Sequence, residues 1–377
     1  MKRKLLADIK DGINSTKPKT LGDIVSENIK KAPRQYKTGF FLSQISLLSK
    51  YCIRQEIYMQ TLFALGIRDF IDTAPPPSLQ KIFDVGTAAH SWWQNKYLGP
   101  ARVLYGSWRC TRCRGTYTGF MSNSPCNYCG WSMALEVKPG QAQPVIKCFE
   151  ACKWPGGYNT ENRDCVKCRF SQGEYEYVEP RVRFDLFPNS HITLPEGFLK
   201  DFSVEIRGYC DGIIDVGGVR KVLEIKTINT FSYNKLTKAH ANHELQCLLA
   251  MWGLGLDYGI IVYLNKETGG TKEFEVELDL NKIGRVLKQV SIAGVGIELY
   301  TRALLDAQNK QDYLSDTDLN ELLDTSIKVL NLPKDARVCI SPEAELAKNC
   351  GVCNLCFLNH VAPIKKLSNN DQISWES

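Results

Sequence analysis

Residues 207–227 read R-G-Y-C-D-G-I-I-D-V-G-G-V-R-K-V-L-E-I-K-T. Two aliphatic runs flank the Gly-Gly pair at 217–218, a pattern that predicts a β-hairpin with a two-residue turn. If the pair is the loop, counting back along the antiparallel ladder places Asp211 opposite Glu224. The two carboxylates then lie on one face of the sheet, with Cβ atoms about 5 Å apart.

Lys226 lies two residues beyond Glu224, so the strand period of two places it on the same face. Carboxylates directly opposite each other repel, and the repulsion raises one pKa unless a cation neutralises the pair. Hard oxygen ligands suit Mg²⁺ or Mn²⁺, and a neighbouring lysine could orient an attacking water. The alternative is a surface hairpin whose charges only keep it soluble.

The composition limits which classes of protein the chain can belong to. A chain of 377 residues, 44% apolar and 23% charged, suits two or three globular domains, and its net charge of +6 is compatible with a polyanionic partner. The amino terminus shows no apolar leader, and no run reaches the roughly 20 apolar residues of a membrane span. We therefore expect a cytoplasmic protein whose 15 cysteines act as metal ligands rather than disulfides.

The order Asp-Gly, hairpin, Glu-Ile-Lys-Thr resembles the core of the PD-(D/E)XK nucleases, in particular the RecB/AddB-type branch that includes the CRISPR-adaptation nucleases. The resemblance implies an α/β fold with a mixed central sheet flanked by helices. It also implies that Asp211 and Glu224 bind Mg²⁺ or Mn²⁺ while Lys226 assists hydrolysis. Downstream, a helix through H-E-L-Q-C-L-L-A, a strand at Y-G-I-I-V-Y-L and a strand at E-F-E-V-E-L follow the same order.

Two further positions resemble the family. Gly86 and His90 match a Gly-x(3)-His element at the start of a helix, where the His is an extra metal ligand; the commonest form has Glu next, and Ser91 stands here instead. Gln246 matches a Gln near the active site, with a helix-surface amide as the alternative. His240 and His243 match no family position and receive no role.

The clearest metal motif is C-x2-C-x12-C-x2-C, which predicts a closed, structural zinc ribbon. Its cysteines are Cys110, Cys113, Cys126 and Cys129. Nearby Arg109, Arg112 and Arg114 suit a nucleic-acid contact or balance the thiolate charge. A second set of cysteines, spaced C-x3-C-x12-C-x2-C, predicts a second zinc site and comprises Cys148, Cys152, Cys165 and Cys168. Each zinc ion could also be bound by one cysteine pair from each set.

Cys52 and Arg54, with Ser46 and Tyr51 upstream, resemble the opening of RecB-type nucleases whose last cysteines complete a 4Fe-4S cluster. The resemblance implies a cluster held by Cys52, Cys350 and Cys356, but the family's remaining cysteine is missing, since Ala347 stands at its position. Cys339 is favoured as the fourth ligand, with Cys353 as the alternative, because Cys353 would pack three ligands into one tight turn. A local zinc site formed by the last four cysteines, without Cys52, is the other interpretation. Cys210 and Cys247 lie in strand and helix patterns and are predicted core residues.

The chain divides into five predicted segments: a basic arm (1–38), a helical part of the nuclease domain (39–100), a cysteine-rich zinc insertion with little apolar core (101–170), the nuclease core with packing helices (171–338) and a carboxyl-terminal cysteine cluster with a tail (339–377). Ser43 is predicted as a helix N-cap, residues 280–306 as an amphipathic helix, and the residues after it as a polar stretch.

The resemblance implies a phage or bacterial DNA exonuclease of recombination, repair or replication, acting in the cytoplasm of the host. Its substrate would be DNA with a free end, single-stranded or resected, and its partners a helicase, a single-strand-binding protein or a recombinase. Two alternatives are a noncatalytic zinc-dependent nucleic-acid-binding protein on a nuclease scaffold and an RNA-directed nuclease. Two opposed carboxylates argue against a mere scaffold, which needs neither.

Overall fold

The computed structural model of the chain describes residues 38–47, 52–66, 77–111, 113–122, 175–198, 201–310 and 314–330. The chain divides into two compact units, residues 1–37 with 70–88 and residues 38–69 with 89–377. In the first unit the described residues are 77–88, which are helical. Both sheets lie in the second unit.

Ten strands form these sheets among the described residues: β1 (Phe40–Phe41), β2 (Leu104–Cys110), β3 (Thr116–Phe120), β4 (Tyr175–Val178), β5 (Arg181–Leu186), β6 (Val204–Tyr209), β7 (Gly212–Val216), β8 (Val219–Ile228), β9 (Tyr258–Asn265) and β10 (Thr271–Glu277). The larger sheet has seven strands in the order β10-β9-β8-β7-β2-β3, with β4 also paired to β2. Its β8–β9 pair is parallel and the other pairs are antiparallel. The smaller sheet has the order β1-β6-β5.

The described helices are α1 (Leu42–Ile45), α2 (Ile53–Ala64), α3 (Pro77–Trp93), α4 (Thr230–Lys235), α5 (Ala241–Leu254), α6 (Leu280–Gln308) and α7 (Asp316–Val329). A π-helical turn at Gln94–Leu98 continues α3. This mixed α/β arrangement, with the order hairpin, helix, strand, strand after residue 207, confirms the predicted fold class at this level. No helix in the described ranges is long and apolar enough to cross a membrane.

Strand β8 is buried on both faces, as expected for a strand in the middle of a covered sheet. Val222 packs in the core that α5 and α6 complete, whereas Leu223 and Ile225 pack on the opposite face around Trp108. Because side chains alternate along a strand, Glu224 and Lys226 share the α5 face with Val222. The catalytic candidates of β8 therefore lie between the sheet and α5.

Helices α2, α6 and α7 form a separate layer of contacts. The ring of Tyr58 on α2 meets that of Tyr300 on α6 edge to face, with centroids 5.6 Å apart. Arg54 Nη1 lies 2.5 Å from Asp324 Oδ1, which joins α2 to α7 through a buried guanidinium. Arg54, which the sequence links to the cysteine motif, thus has a structural ion pair in this fold.

Four expectations are corrected. Ser43 is no N-cap, because α1 begins at Leu42 with Phe41 as its N-cap. The stretch predicted as polar after α6 contains α7, whose Leu319 and Leu323, one turn apart, are both buried. Residues 101–170 are not uniformly poor in apolar core, since β2 belongs to the large sheet. Gly86 and His90 lie in the second half of α3 rather than at a helix start.

Candidate functional site: a carboxylate pair beside Lys226

The β7–β8 hairpin has the predicted register. Its ladder runs from Val216 opposite Val219 to Gly212 opposite Leu223, and both turn glycines have positive φ, as a primed turn requires. Asp211 is the next residue after this ladder ends. Its Oδ2 accepts a hydrogen bond from the backbone N–H of Ile225 at 2.5 Å, so the carboxylate is held against β8.

The β8 residues bring a second carboxylate and a cation to the same place. Glu224 Oε1 lies 2.5 Å from Lys226 Nζ, and Lys226 Nζ also donates to Gln246 Oε1 at 3.2 Å. Helix α5 provides Gln246, as the predicted position near the active site requires. Lys226 is therefore oriented by two oxygen acceptors on two different elements.

Glu224 is 1% exposed, which makes it a rare case of a carboxylate in the core. Burial first, and then the charge of Asp211, raises the pKa of Glu224 to about 7, although Lys226 opposes the shift. Its Oε2 atom is buried and has no hydrogen-bond partner in the part of the chain that the structure describes. An orphaned oxygen of this kind is costly unless a cation or a proton occupies the space beside it.

His90 joins the site from α3. Its Nδ1 lies 3.1 Å from Asp211 Oδ1. Burial works against the charged ring, but the hydrogen bond and the charge of Asp211 outweigh it and raise the pKa of His90. The structure therefore unites His90, Asp211, Glu224, Lys226 and Gln246, which are separate in the sequence.

Sequence reasoning missed two residues behind Asp211. Gln94 is 3% exposed, and its Nε2 donates to the backbone oxygen of Asp211 at 2.6 Å and to Glu179 Oε1 at 3.4 Å. Burial, followed by the charge of Asp211, raises the pKa of Glu179. Gln94 lies four residues after His90, one turn along, so helical spacing could have indicated it. No local signal marks Glu179.

A second polar cluster lies next to Lys226. Tyr263 on β9 is its register partner, and the Tyr263 hydroxyl lies 2.8 Å from His243 Nδ1 on α5. The same hydroxyl accepts the backbone N–H of His240 at 2.9 Å. Burial first, then the charge of Lys226, lowers the pKa of His243 to about 3, so its ring is neutral at physiological pH.

The donor set suits a hard divalent cation held by few protein ligands. Within the described residues, no three His, Cys, Asp or Glu side chains form a ready-made metal cage. Mg²⁺ does not require one, since it binds through one or two carboxylates plus water and substrate phosphate. Asp211 and Glu224, with the orphaned Glu224 Oε2, meet that requirement.

Only part of the predicted zinc ribbon falls in the described residues. Cys110 ends β2 and is buried, and Cys113 lies in the following exposed turn, where its Sγ accepts the backbone N–H of Gly115 at 3.4 Å. Arg109 and Arg114 both pair with Glu176, at 3.4 and 2.7 Å. The remaining zinc-set residues lie outside the described ranges: Arg112, Cys126, Cys129, Cys148, Cys152, Cys165 and Cys168.

The predicted iron-sulfur ligands are also divided. Cys52 is the N-cap of α2, and its Sγ accepts the backbone N–H of Gln55 at 3.5 Å. Tyr51 and the last cysteines, Cys339, Cys350, Cys353 and Cys356, lie outside the described residues, as does the basic arm up to residue 37. Cys210 and Cys247 are 1% and 0% exposed, which confirms them as core residues.

No family model and no curated protein matches the chain. Among solved structures it is similar to SSO0001, at 11% identity and a TM-score of 0.35, over 73% of this chain and 86% of that one. It is also similar to an alkaline exonuclease, LHK-Exo, from Laribacter hongkongensis, at 20% identity and a TM-score of 0.25, over 28% of this chain and 56% of that one. The structure of LHK-Exo in complex with dAMP has 17% sequence identity and a TM-score of 0.25, over 35% of this chain and 64% of that one.

Proposed function

We propose that the chain is a metal-dependent nuclease that hydrolyses phosphodiester bonds in DNA. The observation that carries this proposal is the convergence of two carboxylates, Asp211 and Glu224, with Lys226, beside a buried oxygen that has no partner within the described ranges. A purely structural hairpin has no use for a buried, unpaired carboxylate oxygen, because the burial costs stability. A hydrolytic site that takes up a cation has such a use.

Asp211, Glu224 and His90 are the proposed ligands of Mg²⁺ or Mn²⁺. When bound, the cation supplies charge neutralisation at the phosphate and lowers the pKa of a water molecule. The Ile225 N–H fixes one oxygen of Asp211 and leaves the other available; that oxygen meets His90 in this structure. His90 Nδ1 and that oxygen would both be available to hold the cation.

Lys226 is the proposed partner of the attacking water. Gln246 and Glu224 accept from its ammonium group and so fix its direction. A fixed cation stabilises the charge that develops on the phosphoryl oxygens without reorganising during the reaction. Gln246 acts through Lys226 and is a positioning residue.

An exonuclease is the more specific proposal. Glu224 is 1% exposed and the Lys226 side chain is 21% exposed, so these two groups offer little surface to solvent. A strand that reaches them through a narrow approach has to be introduced from an end. Arginines and aromatic residues of the cysteine-rich segment are proposed to line that approach.

The two zinc sites and the cluster of Cys52 with the last cysteines are parts of the same proposal. A closed site with four thiolates provides folding energy to the cysteine-rich segment. The cluster would link α2 to the chain's last cysteines, and cross-links that close long loops stabilise most in the chain-entropy account. Helicase, single-strand-binding and recombinase partners remain proposals of this kind.

The test uses purified protein with Mg²⁺ or Mn²⁺ on end-labelled linear DNA and on covalently closed circles, both single- and double-stranded. We expect progressive loss of linear DNA, intact circles and no cleavage by Asp211→Asn. Rapid cutting of closed single-stranded circles would replace the exonuclease proposal with an endonuclease. Equal cleavage by wild type and Asp211→Asn would remove this site from the reaction.

A further inference from the structure

The hydroxyl of Tyr263 has two partners and therefore a determined direction. Tyr263 is fully buried, and its oxygen accepts the backbone N–H of His240. The other group in contact is Nδ1 of His243, at 2.8 Å. Because a phenol carries one hydrogen, that hydrogen points to Nδ1; the opposite arrangement would leave a buried hydroxyl hydrogen without an acceptor.

This direction fixes the tautomer of His243. If Nδ1 accepts the phenol hydrogen, the ring carries its own proton on Nε2. The neutral state has independent support, since burial and the nearby Lys226 charge both lower the pKa of His243. Among the described residues nothing hydrogen-bonds to Nε2, and the His243 side chain is only half-buried. The molecule thus holds an oriented N–H donor that has no acceptor among the residues the structure describes.

The donor belongs to the same side of the sheet as the site. His243 precedes Gln246 by three residues on α5, so the two side chains share a helix face. Gln246 binds Lys226, and Tyr263, which binds His243, is the register partner of Lys226. The nearby ammonium charge disfavours a second cation at His243 and favours an anion.

We propose that His243 contacts the substrate by donating its Nε2–H to a phosphate oxygen of the DNA strand, beside the phosphate that Lys226 serves. Tyr263 is the positioning residue that holds the ring in the donating tautomer. The inference rests on the proposed function, which gave His243 no role, and it assigns part of the affinity for DNA to a residue distinct from the proposed metal ligands and from Lys226.

The experiment compares His243→Ala, His243→Gln and Tyr263→Phe with two matched controls. His191→Ala removes an imidazole from the loop between β5 and β6, and Tyr258→Phe removes a half-exposed hydroxyl from the strand that carries Tyr263. Affinity for a fluorescent single-stranded oligonucleotide is measured with Ca²⁺. Cleavage kinetics are measured with Mn²⁺, and Tm is recorded for each variant.

We expect His243→Ala to weaken oligonucleotide binding and raise KM about 10- to 100-fold, the usual effect of losing a hydrogen bond to a charged group. His243→Gln, which keeps an N–H donor, should recover part of the loss, Tyr263→Phe should lose less, and the controls should match wild type. Unchanged affinity in a folded His243→Ala variant overturns the contact, as does failure of wild type to bind the oligonucleotide. If wild type binds but does not cleave, hydrolysis fails while the affinity comparison still decides the role of His243.

Discussion

The Oδ2 atom of Asp211 accepts the backbone N–H of Ile225 at 2.5 Å, one position beyond the last ladder pair of the hairpin. This hydrogen bond attaches Asp211 to β8 although Asp211 lies outside the ladder, and it aligns the carboxylate beside Glu224. Asp211→Asn keeps an oxygen acceptor for Ile225 but removes the charge. We therefore expect an unchanged Tm and a fall in cleavage of at least about 100-fold, since even residues behind a metal ligand cost 10- to 100-fold.

The free energy of unfolding should depend on pH through the carboxyl group of Glu224. The unfolded carboxyl titrates near 4.5 and the folded one near 7, so between these values the folded protein keeps a proton that the unfolded chain has released. The free energy of unfolding therefore falls as pH rises through that window, by roughly 3 kcal/mol for the whole shift. Glu224→Gln should remove most of the fall, since the raised pKa values of His90 and Glu179 account for the rest, and it should be more stable than wild type at pH 8 in EDTA.

The measurement is thermal unfolding at pH 5 and pH 8, with and without Mn²⁺. A bound cation should restore the stability of wild type at pH 8 and leave Glu224→Gln largely unaffected, because the glutamine carries no charge to neutralise. Parallel pH curves for the two proteins would contradict the assignment of this dependence to Glu224.

Two lysines of β8 allow a matched comparison. Lys226 lies between Glu224 and Gln246, whereas Lys221 pairs with the exposed Glu275 at 2.5 Å. We expect Lys226→Met to reduce kcat about 100-fold or more with little change in DNA affinity, as for loss of a preorganised electrostatic group. Lys221→Met should behave as wild type. Equal effects of the two substitutions on kcat would show that cleavage depends on the net charge of the protein and not on the position of Lys226.

Gln246→Leu should have a smaller effect than Lys226→Met. The substitution leaves the ammonium in place but removes one of its two acceptors, so the lysine is less well oriented. We expect kcat to fall about 10-fold, with KM unchanged. A fall as large as that of Lys226→Met would instead indicate a direct role for the amide.

Substitutions of Cys110 and Cys113, the two described cysteines of the first zinc set, differ in how clearly they report the loss of zinc. Cys110 is buried in β2, so Cys110→Ser places a hydroxyl in the core even without a metal. Cys113 lies in an exposed turn, so Cys113→Ser should destabilise only if a zinc ion is lost. We expect Cys113→Ser to lack one zinc equivalent and to be sensitive to protease; a stable, active variant without that zinc would show the site to be dispensable.

For the iron-sulfur proposal, substitutions of Cys52 can separate the loss of a cluster ligand from the loss of a helix cap. Because Cys52 caps α2, Cys52→Ala removes both a thiolate and a cap, whereas serine is a preferred N-cap that retains the second role. Protein purified without oxygen should be brown and contain iron and sulfide, and Cys52→Ser should lose both. Colourless protein with three zincs and an unaffected Cys52→Ser variant would favour a local zinc site.

The sequence predicts the hairpin well because its register depends on one local feature, the turn glycines, and on a strand period of exactly two. It predicts Glu224 and Lys226 on one face for the same reason. Gln94 could have been indicated by its helical spacing from His90. Glu179 and Tyr263 could not be found by spacing, because their roles depend on which strands and helices become neighbours. Their partners are distant in the chain, and no spacing rule connects them.

Helix boundaries were less predictable for a different reason. Ser43 has the chemistry of an N-cap, but β1 pairs with β6 and the chain turns into α1 directly after it, so tertiary pairing decides where the helix begins. Helix α7 has many polar residues, and its buried leucines are recognisable only once α6 is beside it. In both cases packing outweighs the local preference.

The parallel pair β1–β6 has a consequence for the order of folding. Its register joins Phe40 to Ile206, so the edge of the smaller sheet forms only after a very long loop closes. The segment from β6 to β10 contains its own hairpin, helix and strand pairs at short sequence separation, and such local contacts form fast. We therefore expect residues 204–277 to form early in folding and the amino-terminal strand to dock onto them later.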